Sequence, residues 1–207
     1  MNAEITYPAA DGMDYRRELD VGRALASVSY STGDVRYRRE YFASIPHQVI
    51  SMTVEGDKPR SVDAVFRLTT LHPQDRITST AGGGRGMILI QGKLKNGLAY
   101  EGRIAILPKG GTVKASDGAV VVEKADSCRV LVSLATDYVL DAARNWKGES
   151  PRKRTTRSGA GAQGAFRENE AGSPAGLWKV LQPGVPRFRR NGGRHGRTSH
   201  RRTPEEV

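Results

Sequence analysis

The stretch GMILIQGKLKNGLAYEGRIAIL, from Gly86 to Leu107, decides how the rest of the chain is read. Two apolar runs, Ile88 to Ile90 and Ile104 to Leu107, stand on either side of Asn96-Gly97. Asn-Gly accepts the left-handed backbone that a tight reversal needs, so the two runs read as the arms of a β-hairpin. Downstream, TVKASDGAVVVEKA has a second tight turn at Ser116-Asp117-Gly118. CRVLVSLATDY, from Cys128 to Tyr138, is apolar on both faces at its centre, which suits a strand inside a sandwich.

Upstream the same grammar repeats. ALASVSYSTGDVRYRREYFAS, from Ala24 to Ser44, puts Leu25, Ser27 and Ser29 on one face and Ala26, Val28 and Tyr30 on the other. It turns at Ser31–Asp34. HQVISMTVEG and SVDAVFRLTT follow, separated by Gly56-Asp57-Lys58-Pro59. Between about residues 24 and 138 there is no sustained 3.6-residue apolar period, and turn signals recur roughly every 8–15 residues. The fold class is all-β: an antiparallel β-sandwich (partial), over a domain spanning 1–149.

Residues 150–207 break the pattern, with nine glycines and neither strand alternation nor a helical stripe. That composition predicts a disordered basic C-terminal tail. Charge divides at the same place. The chain has 33 Lys/Arg and 22 Asp/Glu, a net +11, of which residues 1–149 hold 20 and 18 and the tail 13 and 4. The domain is therefore nearly neutral, and the tail carries the excess, most densely in GVPRFRRNGGRHGRTSHRR, Gly184 to Arg202.

Few residues suggest chemistry. The single cysteine, Cys128, excludes an internal disulfide framework and a multi-cysteine zinc site, and in an apolar strand it reads as an inert core thiol. His47 and His72 each lack a second ligand at metal spacing. Gly82-Gly83-Gly84-Arg85-Gly86 lacks the Lys-Ser/Thr and the following helix of a phosphate loop, and reads as a flexible loop between strands. No pair of carboxylates is singled out for glycosidase work. Arg16-Arg17 and Arg38-Arg39, interleaved with Tyr15, Tyr37 and Tyr41, read as an outer strand face with cation–π cover rather than a nucleic-acid or sugar surface. The expected sets of catalytic, cofactor-binding and metal-binding residues are all empty. No run of eighteen apolar residues and no signal peptide is present, so a cytoplasmic location is expected for the chain as written.

One ordered set of segments is distinctive: DYRRELDV, VSYSTGDVRYRREYFASIPHQVI, LPKGGTV, ADSCRVLVSLATDY and NWKGESP, between Asp14 and Pro151. Together they resemble the N-terminal β-sandwich domain of the α-L-fucosidases of glycoside hydrolase family 95. The most specific steps are Arg39 to Pro46 and Ala125 to Tyr138. The family's opening Gly-Asn-Gly and Asn-x-Asp-x-x-Trp-x-Gly-Gly motifs are missing, which implies a sandwich without its first strands. The resemblance implies a helical (α/α)6 catalytic domain and fucosylated oligosaccharide as partners, and neither specific nucleic acid nor membrane. None of the barrel's catalytic groups has a counterpart here, so the expectation is a fragment inactive alone, its barrel-facing surface exposed and its solubility poor.

The tail allows a second reading, one base out of frame. Codons for Leu177 to Val185 can be chosen so that the shifted frame spells YGKFFNRV. Their upstream neighbours then permit HLQD, and those for His200 to Glu206 permit TDERLKK. These two blocks, in this order, match the family's linker. The expectation is a frameshift between about Glu149 and Gly172, which would make the Arg-rich composition an accident of translation. Two other readings are a stand-alone carbohydrate-binding sandwich, which would need an exposed aromatic platform, and nucleic-acid binding through the tail.

Overall fold

The structure is a computed structural model that describes residues 2–6 and 12–168. Twelve strands run along them: β1 (Asn2–Thr6), β2 (Met13–Asp20), β3 (Leu25–Thr32), β4 (Val35–Ser44), β5 (Val49–Gly56), β6 (Val62–Thr69), β7 (Arg76–Gly82), β8 (Arg85–Lys93), β9 (Ala99–Lys109), β10 (Thr112–Ser116), β11 (Ala119–Ala125) and β12 (Ser127–Thr136). A single helix, α1 (Pro151–Glu168), follows. The strands form an eight-stranded sheet, β2-β3-β4-β5-β12-β9-β8-β7, and a four-stranded sheet, β1-β6-β11-β10. All pairings are antiparallel.

Alternation produces the core. In β6, Val62, Ala64, Phe66 and Leu68 point inward and are at most 3% exposed, while the residues between them face outward. They meet Val120 and Val122 of β11 and, from the larger sheet, Val54, Ile88, Ile90, Ile104, Ile106, Cys128 and Val130. β12 is buried on both faces, as its doubly apolar centre predicts. Cys128 and Val130 enter the core between the sheets, and Leu131 enters a second cluster on the opposite face with Val49, Ala105 and Ala162 of α1. The molecule thus has three layers: small sheet, large sheet, helix.

The tight turns fall where the residues place them. Asp117 and Gly118 take φ 45° and 71° between the paired ends Ser116 and Ala119. The Gly82–Gly86 segment differs from the flexible loop expected. It is a closed hairpin in which Gly82 pairs with Arg85 across Gly83-Gly84. At Gly86 a Cβ atom would lie 2.4 Å from Val120 Cγ1, so the small sheet packs directly on its backbone.

Two elements lie outside the region of strand signals. β1 joins the small sheet at β6. β2 forms the edge of the large sheet and is exposed at all eight residues, so its burial does not alternate. A correction concerns the segment expected to be disordered. From Pro151 to Glu168 it is helical and docked on the large sheet, with Thr155 and Ala162 fully buried. Ser150 precedes a proline at the first helical position, a favourable start. The hydropathy pattern hides the helix because its buried face is made of Pro151, Thr155 and Ala162, small or polar residues interspersed with Gly159, Gly161 and Gly164. Residues 169–207, with the Arg-rich run and the shifted-frame segments, lie outside the described residues.

Candidate functional site

The connections between strands collect at two ends of the sandwich, and the chemistry collects at one of them. This end carries the turns 21–24, 45–48 and 94–98, the loop 70–75 and the loop after β12. Those connections expose Val21, Ile45, Leu71, Tyr138, Leu140 and Trp146, with Ile45 at 85% and Leu71 at 93%.

Just inside this end, the outer face of β9 holds a buried carboxylate. Glu101 is 3% exposed. It accepts hydrogen bonds from Gln91 Nε2 (2.8 Å), Arg103 Nε (2.8 Å) and Thr155 Oγ1 of α1 (2.5 Å). Residues 101 and 103 share a face because strand side chains alternate, and Gln91 lies directly opposite Glu101 on β8. Burial pushes the Glu101 carboxyl upward, and the bonds from Thr155, Arg103 and Gln91 more than offset it, leaving the group below its ordinary value. With its oxygens engaged by three donors, Glu101 fastens α1 to the sheet.

The neighbouring Tyr100 points to the other side and donates its hydroxyl to Asp75, which also accepts from Thr70 Oγ1 at 2.7 Å. Burial and the Asp75 carboxylate raise the Tyr100 hydroxyl to about 12. Burial works to raise Asp75, but the Tyr100 and Thr70 hydrogen bonds hold it below its ordinary value. Gly92 is required at this point, because a Cβ there would sit 2.2 Å from Asp75 Oδ1 and 2.3 Å from the Tyr100 hydroxyl. A cleft of about 400 Å³ opens beside this strand, lined by Tyr100, Glu101, Leu134, Thr136 and Arg154 among others.

The loop after β12 is closed on itself. Gly148 N donates to Asp137 O (2.6 Å), Val139 N to Trp146 O (3.2 Å) and Trp146 N to Asp141 O (3.0 Å). Lys147 Nζ reaches Asp137 Oδ2 (2.9 Å) and the carbonyl of Gly97 (2.5 Å), tying the loop to the β8–β9 connection. Burial acts to raise Asp137, and the Lys147 and Ala99 hydrogen bonds lower it on balance. Asn145 and Trp146 both take positive φ, 51° and 60°, which is unusual for a tryptophan. The result holds the Tyr138 and Trp146 rings parallel to within 3°, centroids 6.4 Å apart.

Of the residues weighed in the sequence, His47 and His72 lie in connections of this end, whereas Cys128 and the Arg–Tyr steps lie elsewhere. His47 lies in the β4–β5 turn and His72 in the loop before β7, tilted against Tyr100 at 6.4 Å. Among the described residues no three His, Cys, Asp or Glu side chains are arranged to hold a metal ion. Burial pushes the Cys128 thiol up to about 12, so it is no nucleophile at neutral pH. Arg39 lies over Tyr30 at 4.6 Å, Tyr30 stacks on Tyr37 at 5.3 Å, and Arg16 and Arg38 pair with Glu18 and Glu40. The cation–π contact is present, but its aromatic is Tyr30, and Tyr37 and Tyr41 pack against the core between the sheets instead of covering the outer face expected. Two sets of residues went unseen in the sequence. A charged Glu-x-Arg step inside an apolar strand is the signal that marks Glu101. Nothing in the residue types announces the Tyr138–Trp146 pairing.

The fold is that of a known domain. The family model described as glycosyl hydrolase family 65, N-terminal domain, matches residues 3–141. The chain belongs to this family. A 48-residue stretch is 54% identical to Alpha-L-fucosidase 2 of Arabidopsis thaliana, covering 23% of this chain and 6% of that protein. Among solved structures, a putative kojibiose phosphorylase from human microbiome superposes with a TM-score of 0.50 over 86% of this chain and 26% of its own, at 12% identity. That likeness concerns the fold alone. The chain therefore matches only a minor part of the length of both proteins. The resemblance to a glycoside hydrolase N-terminal β-sandwich is met in fold and in family type, the matching model being that of family 65.

Proposed function

We propose that this chain is the non-catalytic N-terminal sandwich of an α-L-fucosidase-like glycoside hydrolase of the family 95 type, and that its apolar end seats the helical catalytic domain. The supporting observation is the 54% identity to Alpha-L-fucosidase 2 over 48 residues. Exposed valine, leucine and isoleucine gathered at one end give such a contact its apolar surface. On this reading the sandwich acts by positioning a partner, whether that partner lies in the same polypeptide or another. Mixing the purified chain with a separately produced fucosidase catalytic domain should give a stable complex by size-exclusion chromatography. The chain alone should release no fucose from a fucosylated trisaccharide. Fucose release by the chain alone, or absence of any complex, counts against the proposal.

We also propose that the message shifts frame between about residues 149 and 172. Two separated blocks of the family linker can be read in one offset, in order, from codons that also encode Leu177–Val185 and His200–Glu206. The nucleotide sequence tests this directly. A shifted frame that meets stop codons instead of continuing into a helical-barrel reading frame rejects it.

A further inference from the structure

We infer that the Tyr138–Trp146 pair is a binding platform for a pyranose ring of a neutral oligosaccharide. The inference deepens the glycoside-hydrolase reading and rests on it for the substrate class. Four observations carry it. The rings stack parallel to within 3° and their residues are about half exposed, 49% for Tyr138 and 46% for Trp146, so the pair reaches solvent. Such π-faces are electron-rich and suit the weakly positive C–H face of a sugar ring.

The platform is also rigid before any ligand arrives. Two consecutive residues in left-handed backbone, Asn145 and Trp146, are held there by the loop's hydrogen bonds and by the Lys147 anchor. Strain of this sort persists only where the surroundings over-determine it, and pre-organised aromatics lose little freedom on binding.

The charges around the rings cancel locally. Lys147 pairs with Asp137, and Arg144 lies 4.0 Å from Asp141. The loop itself therefore adds no net charge, and the neighbouring cation, Arg154, is turned to the Thr136 carbonyl (3.0 Å), an environment that suits a neutral ligand better than a phosphate backbone. Finally, polar groups share the loop with the rings. Asn145 and Arg144 are exposed and Asp141 half-buried, and the cleft past Thr136 holds Arg154 and the backbone of Gly102. An apolar surface with a hydrogen-bonding rim matches a sugar, whose hydroxyls lie around an apolar face, better than it matches a purely apolar polypeptide contact.

The test is fluorescence titration of the full chain carrying Trp178→Phe, which leaves Trp146 as the single indole. The probes are lactose, 2′-fucosyllactose and cellotetraose. A saturable change in Trp146 emission with at least one probe is expected. Trp146→Ala and Tyr138→Ala, followed by calorimetry, should weaken binding about tenfold or more, while Trp146→Phe keeps most of it and Leu140→Ser keeps all of it. The Trp146→Phe and Leu140→Ser variants guard against a folding defect mistaken for lost binding. Absence of saturation with every probe overturns the proposal, as does unchanged affinity in the folded alanine variants. If the catalytic domain shifts Trp146 emission and no sugar does, the pair is a polypeptide contact and the proposal falls. Complex formation with the catalytic domain, measured separately, decides the positioning role whichever way the sugar titration comes out.

Discussion

The two ends of this sandwich are built from the same kind of connection, short reversals between antiparallel strands, yet they face water differently. At one end lie Gly33-Asp34, residues 57–61, Gly83-Gly84, Gly110-Gly111 and Asp126. None of the exposed large hydrophobics among the described residues sits in these connections. They are knit together by hydrogen bonds instead. Arg36 N donates to Asp57 Oδ1 (2.9 Å), Arg60 N to Asp126 Oδ1 (2.8 Å), and Lys58 pairs with Asp34. At the other end the connections leave Val21, Ile45, Leu71 and Leu140 in solvent, over the buried Glu101 hub and the Tyr138–Trp146 loop. The contrast points to the apolar end as the place to look for partners. A finished end satisfies its own polar groups, whereas an end that exposes branched apolar side chains from several successive turns is shaped for something else to cover it.

The largest effect should come from removing the carboxylate beneath the apolar end. Glu101→Ala leaves Arg103, Thr155 and Gln91 without their shared acceptor, and about 2–4 kcal/mol of stability should disappear. Urea unfolding measures the loss, and far-UV circular dichroism should show the α1 signal weakening first. An unchanged midpoint would mean that α1 is not held through Glu101.

Acid should break the same tie reversibly. Because the folded Glu101 titrates below its ordinary value, its contribution is complete above the ordinary carboxylate range and is lost as pH falls through the lowered value. Helix content followed from pH 6 to pH 2 should fall in that window, and Glu101→Gln should flatten this part of the profile. A profile identical in the two proteins would assign acid sensitivity elsewhere, with Asp75 and Asp137 as the next carboxylates to replace.

Replacing Ile45, Leu71 and Leu140 by serine should change stability by no more than about 0.5 kcal/mol each, since exposed side chains give up little on folding. Solubility should nevertheless rise, and complex formation with the catalytic domain should weaken. Concentration limits and size-exclusion profiles separate the two outcomes. The smallest effect belongs to the polar end. Lys58→Ala removes an exposed ion pair and should leave the melting temperature where it was. A clear drop there would erase the contrast between a self-sufficient end and an incomplete one.

Much of the fold is legible because burial in it follows strand alternation. Val62, Ala64, Phe66 and Leu68 announce β6, and Asp117-Gly118 announces its hairpin, since only a few residue types accept that backbone. Asn96-Gly97 marks the β8–β9 reversal, which is the longer connection 94–98 with positive φ at Gly97 but not at Asn96. β2 is silent because neither of its faces is buried. α1 is silent because Thr155 is held by a hydrogen bond and Ala162 by close approach, so neither adds to a hydrophobic stripe. The site is less legible still. Glu101 can be suspected from its apolar neighbours, but its three donors come from β8, β9 and α1. Tyr138 and Trp146 are eight positions apart in a loop, and only its closure through Asp137, Lys147 and Gly97 sets their rings side by side.

The order of strands in the large sheet carries a consequence in time. β12 is the last strand of the sandwich to be synthesised, yet it lies between β5 and β9 and pairs with both. Until the ribosome releases residues 127–136, β2 to β5 and β7 to β9 are two half-sheets, each with an open edge and no strand between them that pairs with both. Long-range pairing of this kind is slow and leaves edges unprotected while it waits. A message interrupted upstream of Thr136 would strand the halves apart, whereas one interrupted downstream would still deliver the strand that joins them.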